Sequence, residues 1–141
     1  MTFEYKISGG DFNSAGNAAS ALKKVLRQLG IDPLLIRRAV VALYEGEINI
    51  VAHAFHGIIT VDVDENKVIM ILEDQGPGIK DISKAMEAGY STASPKIREL
   101  GFGAGMGLPN MKNNTDVFKI ESLQGTGTRV KMINYFTNED S

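Results

Sequence analysis

Three groups of residues in this sequence carry side chains or backbone suited to chemistry. Glu45, Asn49 and His53 recur at every fourth position. On an α-helix that step turns only about 40° and rises about 6 Å, so a carboxylate, a carboxamide and an imidazole line one face. Burying such groups without partners is costly, and a solvated polar face is their ordinary explanation. As metal ligands they suit magnesium, which takes hard oxygen donors and few of them from protein. Zinc fits less well, because asparagine is a poor zinc ligand and the chain has only two histidines.

The second group is Asp74-Gln75-Gly76-Pro77-Gly78, directly after the most hydrophobic strand candidate. Asp, Gly and Pro are all turn residues, and a turn is the plain reading. Yet Asp74 follows Leu72 and Glu73 at the lip of a buried layer, where a lone carboxylate needs a donor. An adenine amine would serve, with Gly78 leaving room for a flat ring. The third group is Gly101 to Pro109, which reads G-F-G-A-G-M-G-L-P and leads into a helix. Glycine-rich backbone feeding a helix N-terminus offers free N–H groups to a phosphate. The run is not a Walker A loop, since no Gly-Lys-Ser/Thr follows, and it does not follow a strand as a Rossmann fingerprint would. Taken alone, such a run is more commonly a flexible linker.

Periodicity places these groups on elements. Residues 4–8 alternate weakly as a short strand. Asp11 is the expected N-cap of a helix over about 12–29 that stops at Gly30. Asp32-Pro33 reads as N-cap and N1 proline of a second helix running to about Phe55, which would carry Glu45, Asn49 and His53. Alternation over 59–63, a turn at 64–67 and an apolar run over 68–72 give two strands. Asp81 to Ala88 suits a short helix ending at Gly89, and Tyr90 to Gly107 holds no period, as a long functional loop would. A helix over Pro109–Asn114 and strands over 117–122 and 128–135 complete the chain, with Phe136 to Ser141 a frayed tail. The order predicts a two-layer α/β sandwich in one domain, with helices on one face of a mixed sheet of about four or five strands.

Composition narrows the function. At 141 residues the chain is one ordinary domain, and 43% hydrophobic with 23% charged residues rules out disorder and coiled coil. No apolar run reaches the roughly 18 residues of a membrane span, and the N-terminus lacks a signal pattern, so a cytoplasmic protein without membrane contact is expected. The absence of cysteine removes thiol catalysis and Cys-ligated metals. Fifteen basic against seventeen acidic residues is too balanced for nucleic-acid binding driven by phosphate neutralisation. Nine of fifteen glycines lie between Gly76 and Gly127, as loops wrapped around a ligand would require.

Glu-x3-Asn on a helix, then Asp-x-Gly-x-Gly, Gly-x-Gly-x-Gly-Leu and a Gly-Thr near the last strand form an ordered set of four. In that order the chain resembles the GHKL (histidine-kinase-like) ATP-binding superfamily. It is most similar to small anti-sigma-factor serine kinases and stress-response switch kinases, through residues 73–92 (EDQGPGIKDISKAMEAGYST) and 100–116 (LGFGAGMGLPNMKNNTD). The resemblance implies the histidine-kinase-like fold, with ATP and Mg2+ as cofactors. It implies Glu45 as the general base for the attacking hydroxyl and Asn49 as the magnesium ligand. Asp74 would bind the adenine amine, with Gly78 beneath the ring and Thr128 assisting through water. Gly76, Gly103, Ala104, Gly105, Met106, Gly107 and Leu108 would complete the nucleotide-binding set, the last five as lid. His53 is given no chemical role beyond capping the helix end, and Lys96 and Arg98 lie in the lid.

The implied activity is phosphorylation of a serine or threonine on a STAS-domain antagonist protein. The alternative is an anti-sigma factor that sequesters a sigma subunit, with ATP as a conformational effector. Relatives often dimerise, so the resemblance allows a homodimer. Two positions depart from the pattern. Ile50 stands where the family often has alanine, and Ile48 where switch kinases often carry arginine, which bears on partner recognition. The segment 94–99 also lengthens the lid.

Overall fold

The computed structural model describes residues 1–79, 82–87 and 107–136. The elements are β1 (Thr2–Ser8), α1 (Asn17–Gln28), α2 (Pro33–His53), β2 (His56–Val63), β3 (Lys67–Gln75), α3 (Ile82–Ala85), α4 (Gly107–Asn113), β4 (Val117–Leu123) and β5 (Gly127–Tyr135). The strands form one sheet in the order β1-β2-β3-β5-β4. Helices pack on one face, so the two-layer α/β sandwich stands. The sheet, expected to be mixed, is antiparallel in all four pairings. The physical reason lies in the one crossover. β3 and β4 run in the same direction, but the β4–β5 hairpin folds back so that β5 inserts between them.

Alternation decides which strand residues face the helices. Ile59, Val61 and Val63 on β2, Val68, Met70 and Leu72 on β3, and Val130 and Met132 on β5 are buried. They meet Leu22 and Leu26 from α1, Ala39, Leu43 and Ile50 from α2, and Leu108 and Met111 from α4 in one cluster. Each fully buried side chain of this size contributes about 1.5–3 kcal/mol.

Helix α2 starts as its sequence demands. The Asp32 side chain accepts the Leu34 N–H at 2.8 Å, and Pro33 occupies the first turn, where its missing N–H costs nothing. Beyond its last turn, the N–H groups of Gly9 and Gly10 donate to Phe55 O and Val51 O, each at 2.8 Å. In mid-helix, Gly46 faces the sheet where a Cβ would run into the Leu72 side chain and lie 3.2 Å from Met111 Cε. Glycine there weakens the helix by about 1 kcal/mol relative to alanine, and in exchange α2 lies close on β3.

Helix α1 starts later than its sequence suggests. Residues 12–16 form turns, and the N-cap is Gly16 (φ 99°), which offers no side-chain cap, rather than Asp11. The cap comes from α2 instead. Glu47 is fully buried, and its two carboxylate oxygens accept the N–H groups of Ala18 (3.1 Å) and Ala19 (3.2 Å). These are orphan donors of the first turn, at the positive end of the helix dipole. One side chain therefore caps α1 and fixes α1 against α2.

Removing that carboxylate strands two buried N–H groups and leaves a void. Glu47→Ala is expected to lower unfolding stability by about 2–4 kcal/mol, with Glu47→Gln, which keeps one acceptor, falling between it and wild type. Urea unfolding of the three proteins measures the difference.

Candidate functional site

Glu45 and Asn49 stand two residues to either side of Glu47. A two-residue step turns about 200°, so both project from the face of α2 opposite Glu47 and lie within about 40° of each other. That face meets the start of α4. A Cβ placed on Gly107 would lie 3.7 Å from Glu45 Oε2 and 4.0 Å from Asn49 Oδ1. From the next turn of α4, Asn110 Nδ2 donates to Glu45 Oε1 at 3.4 Å, a long bond that orients the carboxylate. Among the described residues, Glu45 Oε2 and Asn49 Oδ1 accept no hydrogen bond. Two unpartnered oxygens therefore lie beside backbone that carries no side chain: Asn49 Oδ1, a hard donor of the kind magnesium takes together with water and phosphate, and Glu45 Oε2, a carboxylate oxygen free to take a proton.

His53 closes α2, two turns beyond Glu45, half-buried. Burial holds its imidazole below the ordinary pKa of 6.5, so it is neutral at pH 7 even beside a helix C-terminus. The end of β3 packs on the same turn of α2. A Cβ on Gly76 would lie 3.0 Å from Ala54 Cα and 3.5 Å from His53 O, so this glycine serves the packing of the fold itself. Gly78 has φ +72°, a left-handed conformation that other residues rarely adopt.

Asp74 is the penultimate residue of β3 and pairs in register with Thr128 of β5. Its sequence context called for a donor, and the fold supplies one: Thr128 N–H donates to Asp74 Oδ1 at 3.2 Å. The other oxygen has no partner among the described residues. Burial pushes the carboxyl above its usual range, and the Thr128 N–H only partly offsets this. Next to Thr128, Gly127 passes so close to the Asp74 carbonyl that any Cβ would clash with it. At this end of the sheet an open depression of about 320 Å³ borders Asp74, Ser122, Thr126 and Thr128 together with the charged side chains of Glu73, Glu121 and Arg129.

The structure thus brings Glu45, Asn49 and Gly107 together, and separately Asp74, Gly76 and Thr128, with α2 linking the two groups. Leu108 is buried in the core cluster and serves packing. Gly103, Ala104, Gly105, Met106, Lys96 and Arg98 lie outside the described residues. Sequence reasoning missed three participants. Glu47 sits four residues from Leu43 and from Val51, on the apolar stripe of α2, and a carboxylate there was a readable signal. Asn110 and Ser122 gave no such signal, since each depends on a tertiary contact.

A family model described as a histidine kinase-like ATPase domain matches residues 11–134, which include every residue placed above. The chain belongs to this family. It is 36% identical over 117 residues to the serine/threonine-protein kinase RsbT of Bacillus subtilis, covering 80% of this chain and 82% of that protein. An anti-sigma F factor of Caldanaerobacter subterraneus is 35% identical over 99 residues, 67% of this chain and 66% of its own. Among solved structures, the RsbU and RsbW domains of a Mycobacterium tuberculosis protein superpose with a TM-score of 0.63 at 15% identity, over 95% of this chain and 32% of that one, a likeness of fold.

Within this histidine-kinase-like fold, the raised pKa of Asp74 has a stability consequence. A carboxyl whose folded pKa exceeds its unfolded one stabilises the fold below the unfolded pKa, and that contribution is lost as pH rises through the folded pKa. Asp74→Asn keeps an acceptor for the Thr128 N–H and carries no charge. The ligand-free variant is expected to melt at a higher temperature than wild type at pH 7, with the gain vanishing as pH falls below about 3.9, the ordinary aspartate value. Thermal scans across that range measure it.

Proposed function

We propose that this chain is a magnesium-dependent protein serine/threonine kinase whose acceptor is a STAS-domain antagonist protein. The observation that carries the proposal is the approach of Glu45 Oε2 and Asn49 Oδ1 to Gly107, on a helix whose far end packs against Gly76, two residues beyond Asp74. The name of the Bacillus subtilis relative gives the reaction class. From Glu45 to His53 the helix rises about 12 Å, the scale of a nucleoside triphosphate. Adenine sits at Asp74 and the γ-phosphate at Glu45.

Phosphoryl transfer asks for positioning, charge neutralisation and a base in reach of the nucleophile. Glu45 Oε2 takes the proton of the acceptor hydroxyl as its oxygen bonds to the γ-phosphorus, while the bond to the bridging oxygen breaks and ADP departs. Asn110 holds the other Glu45 oxygen, and so the direction of the carboxylate. Asn49 Oδ1 would hold magnesium, which supplies positive charge against the phosphates. Asp74 would hold the adenine amine through its free oxygen, and Gly103, Ala104, Gly105, Met106 and Gly107 belong to the proposed phosphate-binding set. The protein acts as a single cytoplasmic domain, as a monomer or a homodimer. No helix among the described residues is long and apolar enough to cross a membrane.

A second reading, favoured by the name of the Caldanaerobacter relative, is an anti-sigma factor that sequesters a sigma subunit with ATP as effector. Incubation with labelled ATP, magnesium and candidate STAS proteins separates the two. Label on a STAS protein supports the kinase, whereas ATP-dependent capture of a sigma subunit without label transfer supports sequestration.

Glu45→Ala is expected to abolish transfer and leave the ATP dissociation constant nearly unchanged; equal loss of both would remove its role as base. Asp74→Ala is expected to weaken ATP binding by about 1.5–3 kcal/mol, the worth of one charge-assisted hydrogen bond, as read by calorimetry.

A further inference from the structure

Helix geometry sorts the residues of α2 by angle around Glu45. Asn49 is turned about 40° towards α4, and Asn110 and Gly107 close that flank. Two turns before Glu45, Arg38 pairs with Asp116 at 3.1 Å on the same side. Glu47 faces α1, and Gly46 faces the sheet. In the opposite sense from α4 come Leu34 at about 20°, Val41 at about 40°, Ile48 at about 60°, Arg37 at about 80° and Tyr44 at about 100°.

That arc is apolar. Leu34 is 72% exposed and Tyr44 37%, Val41 is half-buried, and Ile48 is buried yet has no place in the core cluster. A surface helix ordinarily turns one apolar stripe to the core and polar residues outward. Helix α2 turns apolar residues both ways, with exposed Arg37 the one charge among these five. The helical layer around the arc carries one sign of charge. From Asn17 to Tyr44 the exposed charged residues are Lys23, Lys24, Arg27, Asp32 and Arg37, and Asp32 caps α2. None of the four cations pairs with an acid among the described residues.

We infer that this arc of α2 is the docking surface for the phosphoacceptor protein, which covers it with an apolar patch bordered by acidic side chains. The inference rests on the kinase reading above, and its argument is access. A base acts only within hydrogen-bond reach of the proton it takes, so the acceptor hydroxyl must come to Glu45 Oε2. Helix α4, the sheet and α1 occupy the other sides of α2. The acceptor therefore crosses Val41, Tyr44 and Ile48, all within about one turn of Glu45. An apolar centre sheds water on docking, and cations at its border attract an acidic rim without being buried.

The test uses the STAS protein that takes label in the assay above. Val41→Glu, Tyr44→Glu and Leu34→Glu place a charge in the arc while keeping helix propensity. Ile58→Glu is the control, at a residue 42% exposed on the sheet face away from the helices. Each arc variant should raise the KM for the acceptor roughly tenfold and leave the ATP dissociation constant at the wild-type value, whereas Ile58→Glu should change neither. Arg37→Glu should raise the same KM, by less at high salt. Should Val41→Glu fail to fold, the more exposed Tyr44→Glu and Leu34→Glu decide. Because the chain has no cysteine, a photoreactive maleimide on Tyr44→Cys reports contact directly. It should cross-link to the acceptor, and the same reagent on Ile58→Cys should not. Wild-type KM in Tyr44→Glu and Leu34→Glu, or an equal rise in Ile58→Glu, overturns the inference and leaves the kinase reading intact. Cross-linking of Tyr44→Cys to a second copy of this chain in place of the acceptor does the same. Label on no STAS protein overturns the reading and the inference together.

Discussion

A buried carboxylate held by backbone N–H groups, with no cation beside it among the described residues, organises the helical layer. Glu47 has left water entirely, and what holds it is a pair of backbone N–H groups that α1 cannot satisfy within itself. Each side would be costly alone: an unpaired charge on α2, orphan donors on α1. Together they fix α1 against α2 and also fix the rotation of α2 about its own axis. Rotation matters because Glu45 and Asn49 stand on the opposite face of the same two turns. Were α2 free to turn by one residue, about 100°, both oxygens would leave the start of α4. The distances at Gly107 therefore depend on a contact on the far side of the helix.

The second constraint is the depth at which α2 lies. Gly46 gives up helix propensity so that the helix can approach Leu72 and Met111. Next to it in sequence is Glu45. The same close approach brings the last turn of α2 onto the end of β3, where Gly76 fits against Ala54. The separation of the two halves of the site is thus set by a rigid helix and its seat on the sheet, without recourse to a loop.

Much of this was legible in the sequence, and for local reasons. The i, i+4, i+8 spacing of Glu45, Asn49 and His53, the Asp32-Pro33 start and the turn residues after Asp74 are written within a few positions of each other. Readings that failed needed information from a distance. Asp11 looks like an N-cap, but the capping group of α1 is twenty-eight to twenty-nine residues away. The sheet was expected to be mixed, and the return of β5 between β3 and β4, which makes every pairing antiparallel, is a matter of tertiary pairing that no local pattern records. Ser122 is an unremarkable strand residue until register sets it opposite Thr128.

The glycines show a different limit. Their clustering suggested a wrapped ligand, yet Gly76 and Gly127 each have a contact within the protein that excludes a side chain. Clustered glycine in a small, closely packed α/β layer is therefore ambiguous between fold and ligand. Polar atoms discriminate better. Across the described residues the fold satisfies Asp32, Glu47, Asp64 and Ser122 from its own backbone, while one oxygen each of Glu45, Asn49 and Asp74 is left without a partner. Among the described residues the buried side-chain acceptor without a partner is Asn134 Oδ1, so the three site oxygens are not sealed off and stay open to a molecule arriving from solvent. That they are half-buried, aligned along one helix and the strand end it meets, and unpaired is the stronger argument for a ligand, because it names the charge and the hydrogen-bonding character the ligand must bring.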